Sequence, residues 1–214
     1  MAKGVYLHVD ISSAKETIEA LRVLHTEKEF RNIVYSAFKR TGEHTRTAVK
    51  RIVPKDYEVT QKEVYKHIGS ARTKFGGGGI GVSCCIPIDG KRLTIGGGFK
   101  ADGGAPGWSA KGKRYKITTQ MVKGKTSTLP TIMKHQGGHP PFINTSAPKL
   151  NGLAFTRTGR MTKNGKLAIA RVTGISVPQM PINRSEDKVQ EAIANKLIER
   201  LEHEHAWRVK KCQR

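Results

Sequence analysis

Glycine and positive charge are concentrated in the same part of this 214-residue chain, and that coincidence restricts the fold more than any motif does. Of the 23 glycines, 21 lie between Gly69 and Gly174, while residues 61–182 carry 20 Lys and Arg against three acids, Glu63, Asp89 and Asp102. Glycine at that density excludes a mainly helical middle. So one-sided a charge repels itself unless a polyanion or an acidic protein surface compensates it. The flanks are balanced, with 11 basic and 8 acidic side chains in residues 1–60 and 8 and 6 in residues 183–214.

The length suits one domain over residues 1–214, with a mainly helical part at 1–68, a basic glycine-rich β part with long loops at 69–182, and a helix at 183–214. Aromatic residues make up 6% of the chain, so its core must rest on Ile, Val, Leu and Ala, and that favours burial completed against partners. No apolar run approaches the ~20 residues of a membrane span, and the first residues lack the apolar segment of a signal peptide; the expectation is a cytosolic protein with no membrane partner. Adjacent Cys84 and Cys85, with Cys212 far away, form no disulfide framework.

Local patterns place the elements. Val5 to Ile11 has β propensity, and Ser13 with Glu16 has capping-box spacing before a helix through Ile18, Leu21 and Leu24. A second box, Thr26 and Glu29, opens the strongest helix, whose stripe runs Phe30, Ile33, Val34, Ala37, Phe38, Thr41, Ala48, Val49 and Ile52 until Pro54 closes it. A third, Thr60 and Glu63, precedes a short helix with Val64, Tyr65 and Ile68. The period then falls to two: Ile80, Val82, Cys84, Ile86 and Ile88 lead to Asp89-Gly90, a type I′ hairpin signal, and Leu93, Ile95, Gly97 and Phe99 resume the alternation. Residues 100–113 read as a long basic loop, Tyr115, Ile117, Thr119 and Met121 as a strand. Phe155 and the run from Leu167 to Arg171 flank Asn164-Gly165 as another hairpin. The last helix begins near Asn183 or Ser185, buried along Val189, Ala192, Ile193, Leu197 and Leu201. The expected class is α+β, antiparallel hairpins packed by N-terminal amphipathic helices and a C-terminal helix.

Reactive side chains do not converge. Gly124-Lys125-Thr126 resembles the end of a phosphate-binding loop, but the glycine required five positions earlier is Thr119. His135 and His139 sit among Gly137, Gly138, Pro140 and Pro141 without helical geometry, and His203 and His205 have no evident partner in sequence. Neither thiol of the Cys84-Cys85 pair neighbours a base. The reading is a protein that is not an enzyme and takes no cofactor, metal or small-molecule substrate. Its basic contact surface is expected at Lys111, Lys113, Arg114 and Lys116, beside Trp108 and Tyr115, and at Arg157, Arg160 and Arg171.

The order of elements also resembles a known family. The helix from Phe30 to Arg51 ends in a basic run and is followed by a Lys-rich helix at Val59 to Ile68. Then come Leu153-Ala154-Phe155, the segment from Asn164 to Arg171, a proline hinge from Val177 to Ile182, and the last helix. Over residues 30–205 this resembles the minor tail protein Z family of tailed bacteriophages, the tail-completion proteins. The resemblance implies a structural virion protein of the tail or neck, assembled in the host cytoplasm. It would form a homo-oligomeric ring at the head-proximal end of the tail, meet tail-tube or terminator proteins, and contact packaged DNA non-specifically. The competing reading is a basic nucleic-acid-binding protein of ribosomal or chromatin type.

Overall fold

The computed structural model describes residues 5–6, 12–76, 82–103, 117–130, 139–144 and 150–212. Helices combine with several small antiparallel sheets, an α+β fold. The chain forms two compact units that interleave along the sequence: one comprises Met1–Pro54, Gln61–Gly90 and Val177–Arg214, the other Lys55–Thr60 and Lys91–Ser176.

In the first unit, β1 (Val5–Tyr6) precedes a 3-10 turn (Ser12–Ala14), α1 (Lys15–Leu24), α2 (Glu27–Asp56) and α3 (Gln61–Lys66); β2 (Arg72–Phe75), β3 (Val82–Cys85), β4 (Pro87–Ile88) and finally α4 (Glu186–Cys212) complete it. The Thr26 box forms as its spacing requires: Thr26 N and Oγ1 donate to Glu29 Oε2 at 3.2 and 2.8 Å, and Glu29 N donates back to Thr26 Oγ1 at 3.4 Å. The hydroxyl and amide of Thr26, in that order, hold the Glu29 carboxyl below its ordinary value. The Ser13 box does not open α1. Its N-cap is Ala14, without a side-chain cap, because the chain enters through the 3-10 turn.

Buried Phe30, Ile33, Val34, Ala37 and Phe38 of α2 meet Ile18 and Leu21 of α1, Leu197 and Leu201 of α4, and Val82 of β3 in one core. Gly42 extends that stripe because β3 lies against it: a Cβ there would stand 2.6 Å from Cys84 Sγ and 2.8 Å from Ala71 Cβ. Two details of the expected stripes differ. Helix α2 runs through Pro54 to Asp56, since a proline in a last turn forfeits a single hydrogen bond, and Val53 rather than Ile52 is fully buried. Leu24, expected on the core side of α1, is 65% exposed because the helix ends there and the chain leaves in extended conformation at His25. The face of α3 toward α2 is held by Arg46 and Lys50, 4.8 and 5.2 Å from the Tyr65 ring centroid, and by Arg46 Nη2 donating to the Ile68 carbonyl at 3.2 Å.

The expected hairpin at Asp89-Gly90 is absent, and its failure is informative. Strand β3 pairs back with β2 in register Arg72↔Cys85 to Phe75↔Val82, and β4 pairs with β1, Val5 opposite Ile88. Gly90 is not among the glycines at positive φ, which a type I′ turn demands of both central residues. Instead Asp89 N donates to the His67 carbonyl at 2.9 Å, His67 Nδ1 lies 2.9 Å from the Asp89 carbonyl, and a Cβ on Gly90 would come within 2.7 Å of that ring nitrogen. Glycine serves close approach here, not a reversed turn.

His44 of α2 supplies a pH prediction. Partial burial, then the charge of Lys196 on α4, with smaller contributions from Arg200 and Arg51, hold its imidazole below the ordinary value, and Glu199 opposes them. The unfolded chain therefore binds the proton first as pH falls, so stability contributed by neutral His44 is lost on acidification. Urea midpoints should drop between about pH 7.5 and about pH 5.5, and His44→Gln should flatten that dependence.

The second unit carries 17 Lys and Arg against Asp56, Glu58 and Asp102. Strand β5 (Arg92–Thr94) is followed by β6 (Lys100–Gly103), β7 (Ile117–Val122), β8 (Lys125–Thr128), β9 (Pro141–Ile143), β10 (Ala154–Met161), β11 (Leu167–Arg171) and β12 (Thr173–Ser176). These form sheets β5-β12, β6-β7-β8 and β9-β10-β11, each antiparallel. Residues 55–60 are stitched to β7: Glu58 N donates to the Met121 carbonyl at 3.0 Å, Lys123 N to the Asp56 carbonyl at 2.9 Å, and Lys100 Nζ pairs with Glu58 Oε1 at 2.9 Å. Ile95, Ala154 and Val172 form a cluster of buried residues joined in a ring of backbone bonds: Ile95 N to Val172 O, Val172 N to Ala154 O, and Ala154 N to Ile95 O.

Candidate basic contact surface

Strands β10 and β11 form the hairpin that Asn164-Gly165 announces. Gly165 takes φ +67°, Gly165 N donates to the Thr162 carbonyl at 3.0 Å, and Lys166 N donates to Thr162 Oγ1 at 3.2 Å, so Thr162 clamps the turn. Pairing of Phe155 with Arg171, Arg157 with Ile169 and Met161 with Leu167 puts these six residues on one face, with an irregularity between Arg157 and Met161. Along that face Phe155 is buried, anchored beside Phe142 of β9 at 6.1 Å between ring centroids, while Arg157, Met161, Ile169 and Arg171 are exposed. The other face is built of small residues, with Thr158 Oγ1 donating to the Ala168 carbonyl at 3.1 Å.

Of the predicted contact residues, Arg157, Arg160 and Arg171 are all exposed on this hairpin. Lys163 and Lys166 of the turn extend the patch and were not singled out by sequence, although turn lysines beside Asn164-Gly165 were a readable signal. The other expected residues, Lys111, Lys113, Arg114, Lys116, Trp108 and Tyr115, lie outside the described residues. No Asp or Glu occurs anywhere in residues 103–185. Among the described residues, none of the five hairpin cations has an acidic partner within the chain. Cations without internal partners on a half-solvated ribbon remain free to meet an anionic surface.

Among the described residues no three His, Cys, Asp or Glu side chains come together as a metal-binding group. His139 lies beside β9, its carbonyl accepting Thr156 Oγ1 at 2.9 Å, and His135 is outside the described residues. His205 has a partner after all: its Nδ1 is 2.8 Å from Nε2 of His25, the rings edge to face, because α4 brings residue 205 against the α1–α2 junction. Burial pushes the Cys84 thiol up, against the smaller effect of Thr73 Oγ1 donating to Sγ at 3.5 Å, whereas Cys85 is exposed. A disulfide-exchange reagent at neutral pH should therefore label Cys85 well before Cys84, as peptide mapping of a time course would show. No helix among the described residues is long and apolar enough to cross a membrane. Comparison with protein families, curated proteins and solved structures finds no match to this chain.

Proposed function

We propose that this chain is a structural assembly subunit, a tail-completion or neck component of a tailed bacteriophage, which engages an anionic partner through the β10–β11 hairpin. The observation that carries the binding role is the set of five exposed cations on one ribbon inside an 83-residue stretch, residues 103–185, without a single acid. A catalytic site normally gathers acids and bases that pass protons between them, whereas the ionisable side chains of this ribbon are all arginine and lysine. The assignment to a phage tail draws on the order of elements from the basic-ended α2, through the Leu153-Ala154-Phe155 strand and the hairpin ending in Arg171, to the Pro178–Pro181 hinge before α4. Tail-tube or terminator proteins are the acidic partners this reading requires, with packaged DNA as a further anion nearby.

The test is Arg157→Glu, Arg160→Glu and Arg171→Glu together, supplied to a phage lacking its own copy. Exposed positions should leave circular dichroism and the thermal midpoint near wild type, while completed, infectious tails disappear. Normal particle assembly by the folded triple variant would refute the proposal. The nucleic-acid reading predicts a different result: wild-type protein binding DNA with affinity that falls steeply with salt, and a salt slope shallower by about 2.7 in the triple variant if each arginine neutralises one phosphate.

A further inference from the structure

The hairpin face is not purely basic: Met161 is 64% and Ile169 48% exposed between arginines. An apolar spot ringed by arginine fits a protein surface better than a phosphate backbone, which offers nothing for Ile169 to bury against. Stacking on bases would call for exposed aromatic rings, and Phe155, the aromatic on this face, is buried.

A surface of opposite character stands on α1. Ile18 and Leu21 turn into the core, and with 3.6 residues per turn the direction opposite them is occupied by Glu16, Glu19, Ala20 and Val23, all exposed. Val23 is 86% exposed, and Leu24 beside it 65%. One face thus joins carboxylates to unburied aliphatic side chains, Glu19 meeting Lys15 Nζ at 3.9 Å in a solvent-exposed pair that a guanidinium can replace at little cost, and the other joins guanidiniums to unburied aliphatic side chains. Neither face suits a copy of itself, since hairpin against hairpin opposes arginines and α1 against α1 opposes glutamates.

We infer that the β10–β11 hairpin of one copy docks on the outer face of α1 of a second copy, with Arg157 and Arg171 toward Glu16 and Glu19 and with Ile169 and Met161 covering Val23 and Leu24. A contact between two different patches of one chain is head to tail, and such contacts propagate into closed rings or open filaments rather than stopping at a dimer. This inference rests on the reading of the chain as an assembly subunit and names the second copy as an occupant of that hairpin.

Sedimentation of the full-length protein over a range of concentrations tests it. Wild-type protein should associate beyond a dimer, and either Glu16→Arg with Glu19→Arg or Arg157→Glu with Arg171→Glu should weaken association by at least about tenfold. The quadruple charge swap should restore it to within about threefold of wild type, an outcome that misfolding of either double variant cannot produce. Ile169→Ser and Val23→Ser should each weaken it without altering net charge. A wild-type protein that stays monomeric throughout, or charge reversals that leave association untouched, would overturn the contact. A monomer whose hairpin variant still blocks tail completion would sink this self-contact alone and keep the proposed function. Loss of DNA retention in the hairpin variant of a monomeric protein would make nucleic acid the occupant instead.

Discussion

Gly96→Ala is expected to unfold the second unit, with a loss of at least about 4 kcal/mol. Gly96 has φ +88°, and an added Cβ would overlap the Gly152 carbonyl oxygen and stand 2.7 Å from its carbon and 2.8 Å from Leu153 Cα. All three obstacles are backbone, so no side chain can swing aside. The obstructed segment is itself fixed, since Gly152 N donates to the Asn144 carbonyl at 2.8 Å, Asn144 N to the Leu153 carbonyl at 3.0 Å, and Ala154 N to the Ile95 carbonyl at 2.9 Å. Moving it breaks the ring of backbone bonds that joins buried Ile95, Ala154 and Val172. Gly124→Ala is the control: at φ +72° with nothing within 4 Å of the new Cβ, it should cost only the backbone strain of about 1–2 kcal/mol. Urea denaturation followed by near-ultraviolet circular dichroism separates the two, and similar losses for both would show that the close approach at Gly152 is not what constrains position 96.

The second large effect concerns the pair between α2 and α4. Glu204 is 5% exposed, and its Oε1 lies 3.0 Å from Nη1 of Arg40, whose side chain is half in solvent. The contact is an ion pair without the alignment of a hydrogen bond, so the carboxylate depends on charge alone for compensation at that oxygen. Arg40→Ala should therefore destabilise by about 2–3 kcal/mol, below the figure for a fully buried pair because water can partly replace the exposed guanidinium. Glu204→Met should be much milder, since it removes the buried charge and supplies apolar volume to a helix face already containing Leu197 and Leu201. Adding Arg40→Ala to Glu204→Met should then cost little. Equal losses from Arg40→Ala in both backgrounds would show that packing of the arginine stem, and not the orphaned carboxylate, sets its contribution.

What could be read from sequence divides along physical lines. The α2 stripe and the Thr26–Glu29 box depend on residues within a few positions of one another, and both form. The β10–β11 hairpin was legible because Asn164-Gly165 supplies the backbone that its turn needs, with Gly165 at φ +67°. Asp89-Gly90 has the same appearance and a different use, because the reason for Gly90 is the ring of His67, 23 positions away. Local spacing does not distinguish glycine chosen for φ from glycine chosen for room. The His25–His205 pair spans 180 residues and had no local trace at all. On the candidate surface, acid-free composition pointed to Arg157, Arg160 and Arg171, but alternation alone gave no sign that Ile169 would face solvent, since an apolar residue at period two is ordinarily read as core.

The interleaving of the two units bears on how the chain is made. Helix α2 displays its apolar stripe early in synthesis, yet Leu197 and Leu201, which cover part of it, belong to α4 and leave the ribosome after every other element described. Through most of translation the nascent chain must therefore carry a partly uncovered apolar helix tethered to a polycationic segment, a combination prone to sticking to ribosomal RNA and to other unfinished copies. Chains that end before Leu197 keep that exposure permanently, so chaperone capture of truncated chains should stay high up to that point and fall once Leu197 and Leu201 are included.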